Sequence, residues 1–456
     1  MKKLFLLLAC TLCVTGTWAQ QDNWKYRVSL TDKAETVYSL DKPEEFLSAK
    51  AIERRKRQNL PIDSTDLPVC SRYVDAICRQ GVKVVVTGKW DNFVTVSCRD
   101  TSLMERIAAL PFVKQIEKVW TSPKSGALQM ATVRDTLINC PANYTDRPYG
   151  PADAQIRMSN GDKLHEAGFR GEGMTIAIID AGYHNADRII AMQNINILGV
   201  RDFVNPQADI FAESDHGLKV LSCLAMNRPN LMVGTAPAAS YWLLRSEDEY
   251  SEHLVEQDYW CAAVEFADSV GVDVVNTSLG YHKFDDKSKD YHYCDLDGRF
   301  SLMSRQASRM ADKGMVLVCS AGNSGAGSWK KLTPPGDADH VLTVGAINKQ
   351  GVLAAFSSIG PAADGRVKPD VVAVGYAADV IRTNGNQGQS NGTSFASPIM
   401  CGMVTCLWQA CPSMTAKQLI ELVRCSGDRA ACPDNIYGYG IPDLWKAYQS
   451  VNPSSF

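Results

Sequence analysis

Beyond about residue 151, short apolar segments alternate with longer segments of helical periodicity, and this alternation constrains the fold more than any other feature of the sequence. Residues 174–179 form a near-continuous apolar run, which is typical of a strand buried on both faces. Apolar strands that alternate with helices predict an α/β fold, in which helices cover both faces of a parallel sheet. Further strands are predicted at 197–204, 240–244, 272–276, 316–319 and 341–346, and helices at 252–270, 302–313, 394–411 and 415–425.

Residues 20–122 have a different pattern and are predicted to form a small α+β unit that precedes the main domain. Residues 123–150 are rich in Ser, Pro, Gly, Asn and Asp, and we interpret them as an exposed linker. The main domain is then predicted at 151–450. The first unit has predicted strands at 25–30, 82–86, 93–98 and 113–119, and predicted helices at 43–57, 71–80 and 102–110.

The amino terminus has the composition of a secretory signal peptide. Lys2 and Lys3 precede the apolar residues 4–14, and small residues stand before a cut after Ala19. Residues 1–19 therefore predict a secreted or periplasmic protein. A lipoprotein cut before Cys10 is the alternative, but it would leave a very short apolar region.

The cysteines are scattered, and export would permit them to form disulfides. The signal segment contains two of the 15, so that 13 remain. Because many stand inside apolar runs, we predict that most are buried thiols. One local bridge among Cys411, Cys425 and Cys432 is a weaker hypothesis, and no spacing suggests zinc.

The overall charge argues against a nucleic acid or an anionic membrane as a partner. The chain has 456 residues and a formal net charge of −3, and no stretch after the signal segment is long and apolar enough to span a membrane. A basic run, Arg54-Arg55-Lys56-Arg57, lies in a predicted helix. We predict that this run is a solvated helix face, and a proteolytic processing site is the alternative.

Ser394 stands where a small, polar turn enters the predicted helix at 394–411. The N–H groups of a helix start are unpaired and favour negative charge beside them, which suits a nucleophile whose attack creates an oxyanion. Serine is also a common helix cap. Taken alone, this stretch leaves both interpretations open.

Three other segments place polar residues at strand ends or helix starts of the same predicted sheet. Asp180 ends the apolar run at 174–179, His216 precedes a helical stretch, and Asn323 follows the predicted strand at 316–319. Because functional groups gather at the carboxyl ends of parallel strands, these side chains are expected in one crevice. Each has a plain structural alternative as a cap or turn residue.

The order Asp, His, Asn, Ser resembles that of the subtilisin-like serine proteases. Gly392-Thr393-Ser394-Phe395-Ala396-Ser397-Pro398 matches the family's nucleophile motif, and Asp180-Ala181-Gly182, His216-Gly217 and Ser320-Ala321-Gly322-Asn323 match its other motifs in order. The resemblance covers about residues 150–447. It implies a subtilisin-like α/β fold and a secreted serine endopeptidase.

The resemblance also implies a role for each matching residue. Ser394 would attack the scissile carbonyl, His216 would move the proton, and Asp180 would orient the ring. Asn323 and the Ser394 N–H would bind the oxyanion. The residues that would bind the substrate are Ser278, Leu279 and Gly280 along its backbone, and Ser320, Ala321 and Gly322 at the specificity pocket.

Two positions depart from the family pattern. Ala181 stands where the family usually has Ser or Thr, and Lys219 stands where it commonly has a second histidine. The small, uncharged residues 324–327 predict a pocket for apolar or aromatic side chains. We expect no catalytic cofactor; calcium in the polar segment 281–297 is a weaker hypothesis than an exposed loop.

The resemblance implies two kinds of partner, namely protein or peptide substrates and the chain's own first unit. Members of the family are often made with an N-terminal propeptide that assists folding and then blocks the site, and residues 20–122 have its size and α+β pattern. A retained binding domain is the alternative for this unit. For the whole chain, the alternatives are a processing protease with one target and an inactive relative that binds peptides.

Overall fold

The computed structural model describes residues 23–122, 136–139 and 144–452. The predicted signal peptide, residues 1–19, lies outside the described residues, and so does most of the predicted linker. The first unit contains β1 (Trp24–Leu30), α1 (Ala49–Arg57), α2 (Ser71–Cys78), β2 (Lys83–Gly88), β3 (Phe93–Cys98), α3 (Leu103–Ala108) and β4 (Val113–Thr121). These strands form one antiparallel sheet in the order β2-β3-β1-β4.

The second unit is built on a seven-stranded parallel sheet. Its helices are α4 (Asp153–Arg157), α5 (Gly161–Glu166), α6 (His216–Ala225), α7 (Val255–Val270), α8 (Leu302–Arg309), α9 (Thr393–Ala410), α10 (Ala416–Cys425) and α11 (Leu444–Val451). Its strands are β5 (Thr175–Asp180), β6 (Asn196–Asp202), β7 (Asn227–Arg228), β8 (Met232–Val233), β9 (Ser240–Arg245), β10 (Val274–Thr277), β11 (Val316–Ser320), β12 (Leu342–Ile347), β13 (Val371–Val374), β14 (Ala378–Ile381) and β15 (Gln387–Ser390). The order in the large sheet is β13-β12-β11-β10-β5-β9-β6.

Helices cover both faces of this sheet. Successive residues of a strand point to opposite faces, so apolar neighbours on one strand belong to different cores. Ile178 packs in one core cluster with Leu221 of α6 and Met400 of α9. Its neighbour Ile179 packs in a second cluster with Trp260 of α7. The predicted α/β fold with a preceding α+β unit is confirmed.

Several predicted elements differ in extent from those in the structure. The helix predicted at 43–57 is divided into a 3-10 turn (Pro43–Glu45) and α1, which begins after Ser48 caps the N–H of Ala51 at 3.2 Å. Strands β13, β14 and β15 were not predicted. Each has only four residues, and over so short a stretch the sequence pattern of a strand cannot be distinguished from that of a loop.

The basic run corrects a prediction, because half of it is buried between the two units rather than solvated. Arg54 and Arg55 are 2% and 1% exposed, and both contact the carboxylate of Asp268 on α7, at 2.5 Å and 2.9 Å. Arg55 also pairs with Asp66 at 2.7 Å. Burial by itself raises the pKa of Asp268, but the positive charges of Lys89, Arg55 and Arg54 hold it far below its usual range.

The cysteines confirm one prediction and contradict another. Eight of the twelve described cysteines are buried, as expected of thiols that pack like small apolar side chains. All twelve are free, so the bridge among Cys411, Cys425 and Cys432 is wrong for this structure. Cys140 lies outside the described residues. Within the described part of the chain, no helix combines the length and apolarity needed to cross a membrane.

The Arg54–Asp268 contact predicts a large effect of one substitution on stability. Asp268→Asn keeps the shape but leaves buried guanidinium groups without their counter-charge, which costs about 3–5 kcal/mol in such pairs. Urea unfolding of the uncleaved chain, with residues 23–122 still attached, should report this loss. The control is Glu45→Gln in the exposed pair with Lys42, where the change should stay within about 0.5 kcal/mol. Equal effects of the two variants would contradict a buried ionic interface.

Candidate active site

Asp180 and His216 meet at the carboxyl end of β5. Asp180 is the last residue of that strand and is fully buried, and His216 is the first residue of α6. The Nδ1 of His216 donates to the Oδ1 of Asp180 at 2.7 Å, and the same oxygen accepts the N–H of Ala181 at 2.8 Å. The contact holds the ring by one nitrogen and leaves Nε2 available for another partner.

The charge of Asp180 dominates the protonation of the ring. Burial by itself lowers the pKa of the His216 imidazolium, but the negative charge of Asp180 and the hydrogen bond to it raise this pKa to about 9. Glu247 acts in the same direction, and Lys219 opposes it. The ring therefore becomes a neutral base only in the alkaline range.

The first turn of α9 presents Ser394, and a proline inside the helix explains how it is held. Pro398 has no N–H, so the carbonyl of Ser394, four residues earlier, has no intrahelical donor. The hydroxyl of Ser278, just beyond β10, donates to that carbonyl at 2.9 Å. Asn276 donates to the Ser278 hydroxyl at 3.1 Å and accepts from Ser397 at 2.8 Å. These bonds tie the helix start to the sheet.

The hydroxyl of Ser394 points to the sheet rather than to the imidazole. Its Oγ donates to the carbonyl of Ser278 at 3.3 Å, and no hydrogen bond between Ser394 and His216 is found among the described residues. A separation of 3.3 Å is long for an O–H···O bond, so the hydroxyl loses little by turning to another acceptor. Both side chains line one cleft.

Asn323 faces the same helix start from the end of β11. Its Oδ1 accepts the N–H and the hydroxyl of Thr393, both at 2.9 Å, which leaves its Nδ2 as a donor. The preceding Gly322 has φ +104°, a backbone conformation that glycine adopts readily. The Asn323 amide and the N–H groups of the first turn of α9 together suit an anion at this point.

A cleft of about 310 Å³ joins these groups, and most of the predicted substrate-binding residues line it. Ala321 is the exception: it is fully buried directly after β11, and its N–H donates to the carbonyl of Val344 on β12 at 3.0 Å. Sequence reasoning missed Glu247, Glu249 and Thr333. The lining residues are Ala181, His216, Glu247, Glu249, Ser278, Leu279, Gly280, His282, Ser320, Gly322, Asn323, Ser324, Thr333 and Ser394.

One of the missed residues had a signal in the sequence. Glu247 stands two residues beyond β9, at the same edge of the sheet as Asp180. A polar residue just after a parallel strand is a candidate for a functional site, because such sites form at the carboxyl ends of the strands. Thr333 is in a loop without periodicity. Its position in the cleft depends on contacts with residues far away in sequence, so no local pattern could have identified it.

The two departures from the family pattern leave visible consequences. Lys219 is one turn along α6 and forms an ion pair with Asp215 at 2.7 Å. Ala181 offers only its backbone N–H to Asp180, and the buried Oδ2 of Asp180 has no hydrogen-bond partner among the described residues. The acid is therefore held through one of its two oxygens.

The polar segment 281–297 forms local turns with its carboxylates. Asp290 accepts the N–H of Phe284 at 2.8 Å, Asp286 accepts that of Ser288 at 3.1 Å, and Asp295 accepts that of His292 at 2.7 Å. Within the described ranges, no group of three or more His, Cys, Asp or Glu side chains is arranged to hold a metal ion. Calcium binding by this segment stays a hypothesis, because calcium also takes backbone carbonyl oxygens as ligands.

Comparison with known proteins gives two family matches, one in each unit. The family described as "Subtilase family" matches residues 171–440, and the one described as "Peptidase S8 propeptide domain, Bacteroidota" matches residues 25–134. Neither match bears on the boundaries at 122 and 150, which stay predictions.

Three individual relatives are 26% or 27% identical to this chain over the aligned residues. Subtilisin NAT of Bacillus subtilis subsp. natto is 27% identical over 275 residues, which are 60% of this chain and 64% of that protein. Subtilisin of Bacillus pumilus is 26% identical over 305 residues, 66% of this chain and 98% of that protein. Serine protease AprX of Bacillus subtilis (strain 168) is 26% identical over 302 residues, 59% of this chain and 65% of that protein. The chain thus spans less than two thirds of Subtilisin NAT and AprX.

The Asp180–His216 contact predicts how the ring titrates. A folded-state pKa of about 9 exceeds the ordinary 6.5, so the ion pair stabilises the fold fully below pH 6.5 and stops doing so as the pH rises through about 9. In Asp180→Asn the burial remains and the attraction is lost, so the pKa should fall below 6.5.

NMR titration of ring-labelled histidine would measure this change, with His216→Ala to assign the signal. The matched control is Asp215→Asn. It removes a nearby carboxylate that pairs with Lys219 and not with the His216 ring. If both variants left the pKa of His216 unchanged, Asp180 would not control the protonation of the ring.

Proposed function

Because the chain belongs to the subtilase family, we propose that it is a serine endopeptidase that hydrolyses peptide bonds through Asp180, His216 and Ser394. The main support is the 2.7 Å bond between Asp180 and His216, in the same cleft as the start of α9. Export follows from the composition of residues 1–19, and protein or peptide substrates follow from the family.

In the first half of the proposed reaction, Ser394 Oγ attacks the scissile carbonyl carbon while His216 Nε2 accepts the hydroxyl proton. The carbonyl oxygen becomes an oxyanion that accepts from Asn323 Nδ2 and the Ser394 N–H. When the C–N bond breaks, His216 returns the proton to the departing amine. Asp180 orients the ring and stabilises the imidazolium when it forms.

In the second half, water attacks the acyl group on Ser394, and His216 accepts the proton of this water. The same two donors stabilise the second oxyanion, and the proton then passes from His216 to Ser394 Oγ as the acid product leaves. No step calls for a cofactor. The raised pKa of His216 favours activity at alkaline pH, where the ring is neutral.

We also propose that the first unit is a propeptide that assists folding and blocks the site until it is removed. The family match at residues 25–134 supports this role. So does the charge of the interface, where arginines of the first unit pair with carboxylates on α7: Arg27 with Asp258, and Arg54 with Asp268. A parallel sheet depends on contacts distant in sequence, so a template that holds α7 can lower the folding barrier.

Two substitutions separate the proposed roles of nucleophile and oxyanion donor. By the magnitudes known for subtilisin, Ser394→Ala should lower kcat by about 10⁶, and Asn323→Ala by about 10²–10³ with a measurable remainder. Hydrolysis of a fluorogenic peptide would measure both. The control is the exposed Ser328→Ala, which should have normal activity. Full activity in Ser394→Ala would refute the assignment.

Removal of the first unit is a separate outcome to test. The secreted protein should begin within residues 123–150, because that predicted linker joins the two units, whereas Ser394→Ala should keep residues 23–122 covalently attached. Mass spectrometry and N-terminal sequencing of both proteins would measure this. A mature wild-type protein that retains the first unit would favour the alternative of a permanent binding domain.

A further inference from the structure

Residues 136–139, which we call the strap, are bound to the second unit. Ile138 forms a parallel bridge with Ile189: its N–H donates to the carbonyl of Arg188 at 2.9 Å, and its carbonyl accepts the N–H of Ile190 at 3.0 Å. One segment of the second unit therefore satisfies both backbone groups of Ile138. The strap is held in the way that a sheet holds an added strand.

The side chain of Ile138 packs on the larger core of the second unit. It is half-buried against the cluster that contains Ile178, Leu221 and Met400. The neighbouring Leu137 is 54% exposed, as expected where successive residues of an extended segment point in opposite directions. One apolar side chain thus adds to the two hydrogen bonds that hold the strap.

The turn between β14 and β15 contacts the strap from a second direction. A Cβ built on Gly385, in that turn, would be 3.1 Å from the carbonyl oxygen of Asn139 and 3.1 Å from Ile138 Cγ2. Gly385 has φ +77°, so that glycine suits both the turn and the close approach of the strap. The strap is therefore enclosed between this turn and the segment 188–190.

The two segments that the strap contacts adjoin the proposed acid and nucleophile. Residues 183–190 follow Asp180 closely, and the turn leads through β15 to Ser394 at the start of α9. Asn185 Nδ2 donates to the carbonyl of Thr383 at 3.2 Å, so the two segments also meet directly. The strap adds a second connection between them.

The next described residues, 144–150, are bound to the second unit as well. The N–H of Thr145 donates to the carbonyl of Asn230 at 2.9 Å, and Asn230 Nδ2 donates to the carbonyl of Thr145 at 2.9 Å. Tyr149 is buried, and its carbonyl accepts the N–H of Val233 at 3.3 Å. The propeptide family, in contrast, matches only as far as residue 134, just before the strap.

We propose that the maturation cut falls before Thr136, and that the strap stays in the mature protein, where it joins residues 183–190 to the β14–β15 turn. The inference rests on the proposed removal of the first unit. Hydrolysis of one peptide bond before the strap gives the departing first unit a carboxylate and the mature protein its amino terminus. A cut beyond the strap would instead remove the contacts of Ile138 and expose the core beneath it.

The amino terminus of the secreted protein tests the position of the cut. N-terminal sequencing and the intact mass of wild type should place its first residue at or before Thr136. Ser394→Ala, which is expected to stay uncut, is the reference for the mass of the joined units.

Ile138→Asp tests the contacts of the strap, because it puts a charge where a half-buried apolar side chain packs. The melting temperature of the secreted protein, inhibited with a fluorophosphonate to prevent self-digestion, should fall by at least about 3 °C. Leu137→Asp makes the same change at the exposed neighbour and should lower it by less than about 1 °C. Ile138→Ala, with Leu137→Ala as its control, repeats the comparison if Ile138→Asp fails to fold.

A mature protein that begins after Asn139 would overturn the proposal while the removal of the first unit and the protease function stand. Equal melting temperatures for the Ile138 and Leu137 variants would overturn the strap. If secreted wild type retains residues 23–122, the proposed removal fails and the proposed cut fails with it. The melting temperatures then decide whether residues 136–139 act as a strap in the uncut chain.

Discussion

The hydrogen bond between Asp180 and His216 is the interaction on which the rest of the site depends. β5 lies inside the parallel sheet, between β10 and β9, so the carboxylate at its end is fully removed from water. A buried carboxylate requires a partner, and His216 supplies it at 2.7 Å. Burial of the ring lowers the pKa of His216, but the charge of Asp180 and the hydrogen bond to it outweigh that effect and raise the pKa.

The opposite side of the cleft depends on a missing hydrogen bond. Pro398 removes the donor that the carbonyl of Ser394 would have inside α9, and Ser278 replaces it from the neighbouring strand end. The start of α9 is therefore hydrogen-bonded to the sheet at a carbonyl that would otherwise be bonded within the helix. The same strand end carries Gly280, whose lack of a side chain admits Thr333. One short segment thus orients the nucleophile and bounds the pocket.

Features that depend on neighbouring residues could be predicted from the sequence, whereas those that depend on contacts between distant residues could not. Strands such as β5 and the order of Asp180, His216, Asn323 and Ser394 are local patterns. His216, Asn323 and Ser394 line one cleft, and Asp180 is buried behind it in contact with His216. Arg54 was misinterpreted because its partner, Asp268, is more than 200 residues away, and a charged run read alone suggests solvent. The placement of Thr333 and the orientation of the Ser394 hydroxyl likewise depend on packing between distant segments.

The most direct test of the account is a crystal structure of the secreted protein after reaction with a fluorophosphonate. We expect a phosphorus–oxygen bond to Ser394 Oγ, with the phosphoryl oxygen accepting from Asn323 Nδ2 and the Ser394 N–H. His216 Nε2 should lie within hydrogen-bond distance of the adduct while Nδ1 still donates to Asp180. Phosphonylation of a different residue, or a His216 ring turned away from both Asp180 and Ser394, would contradict it.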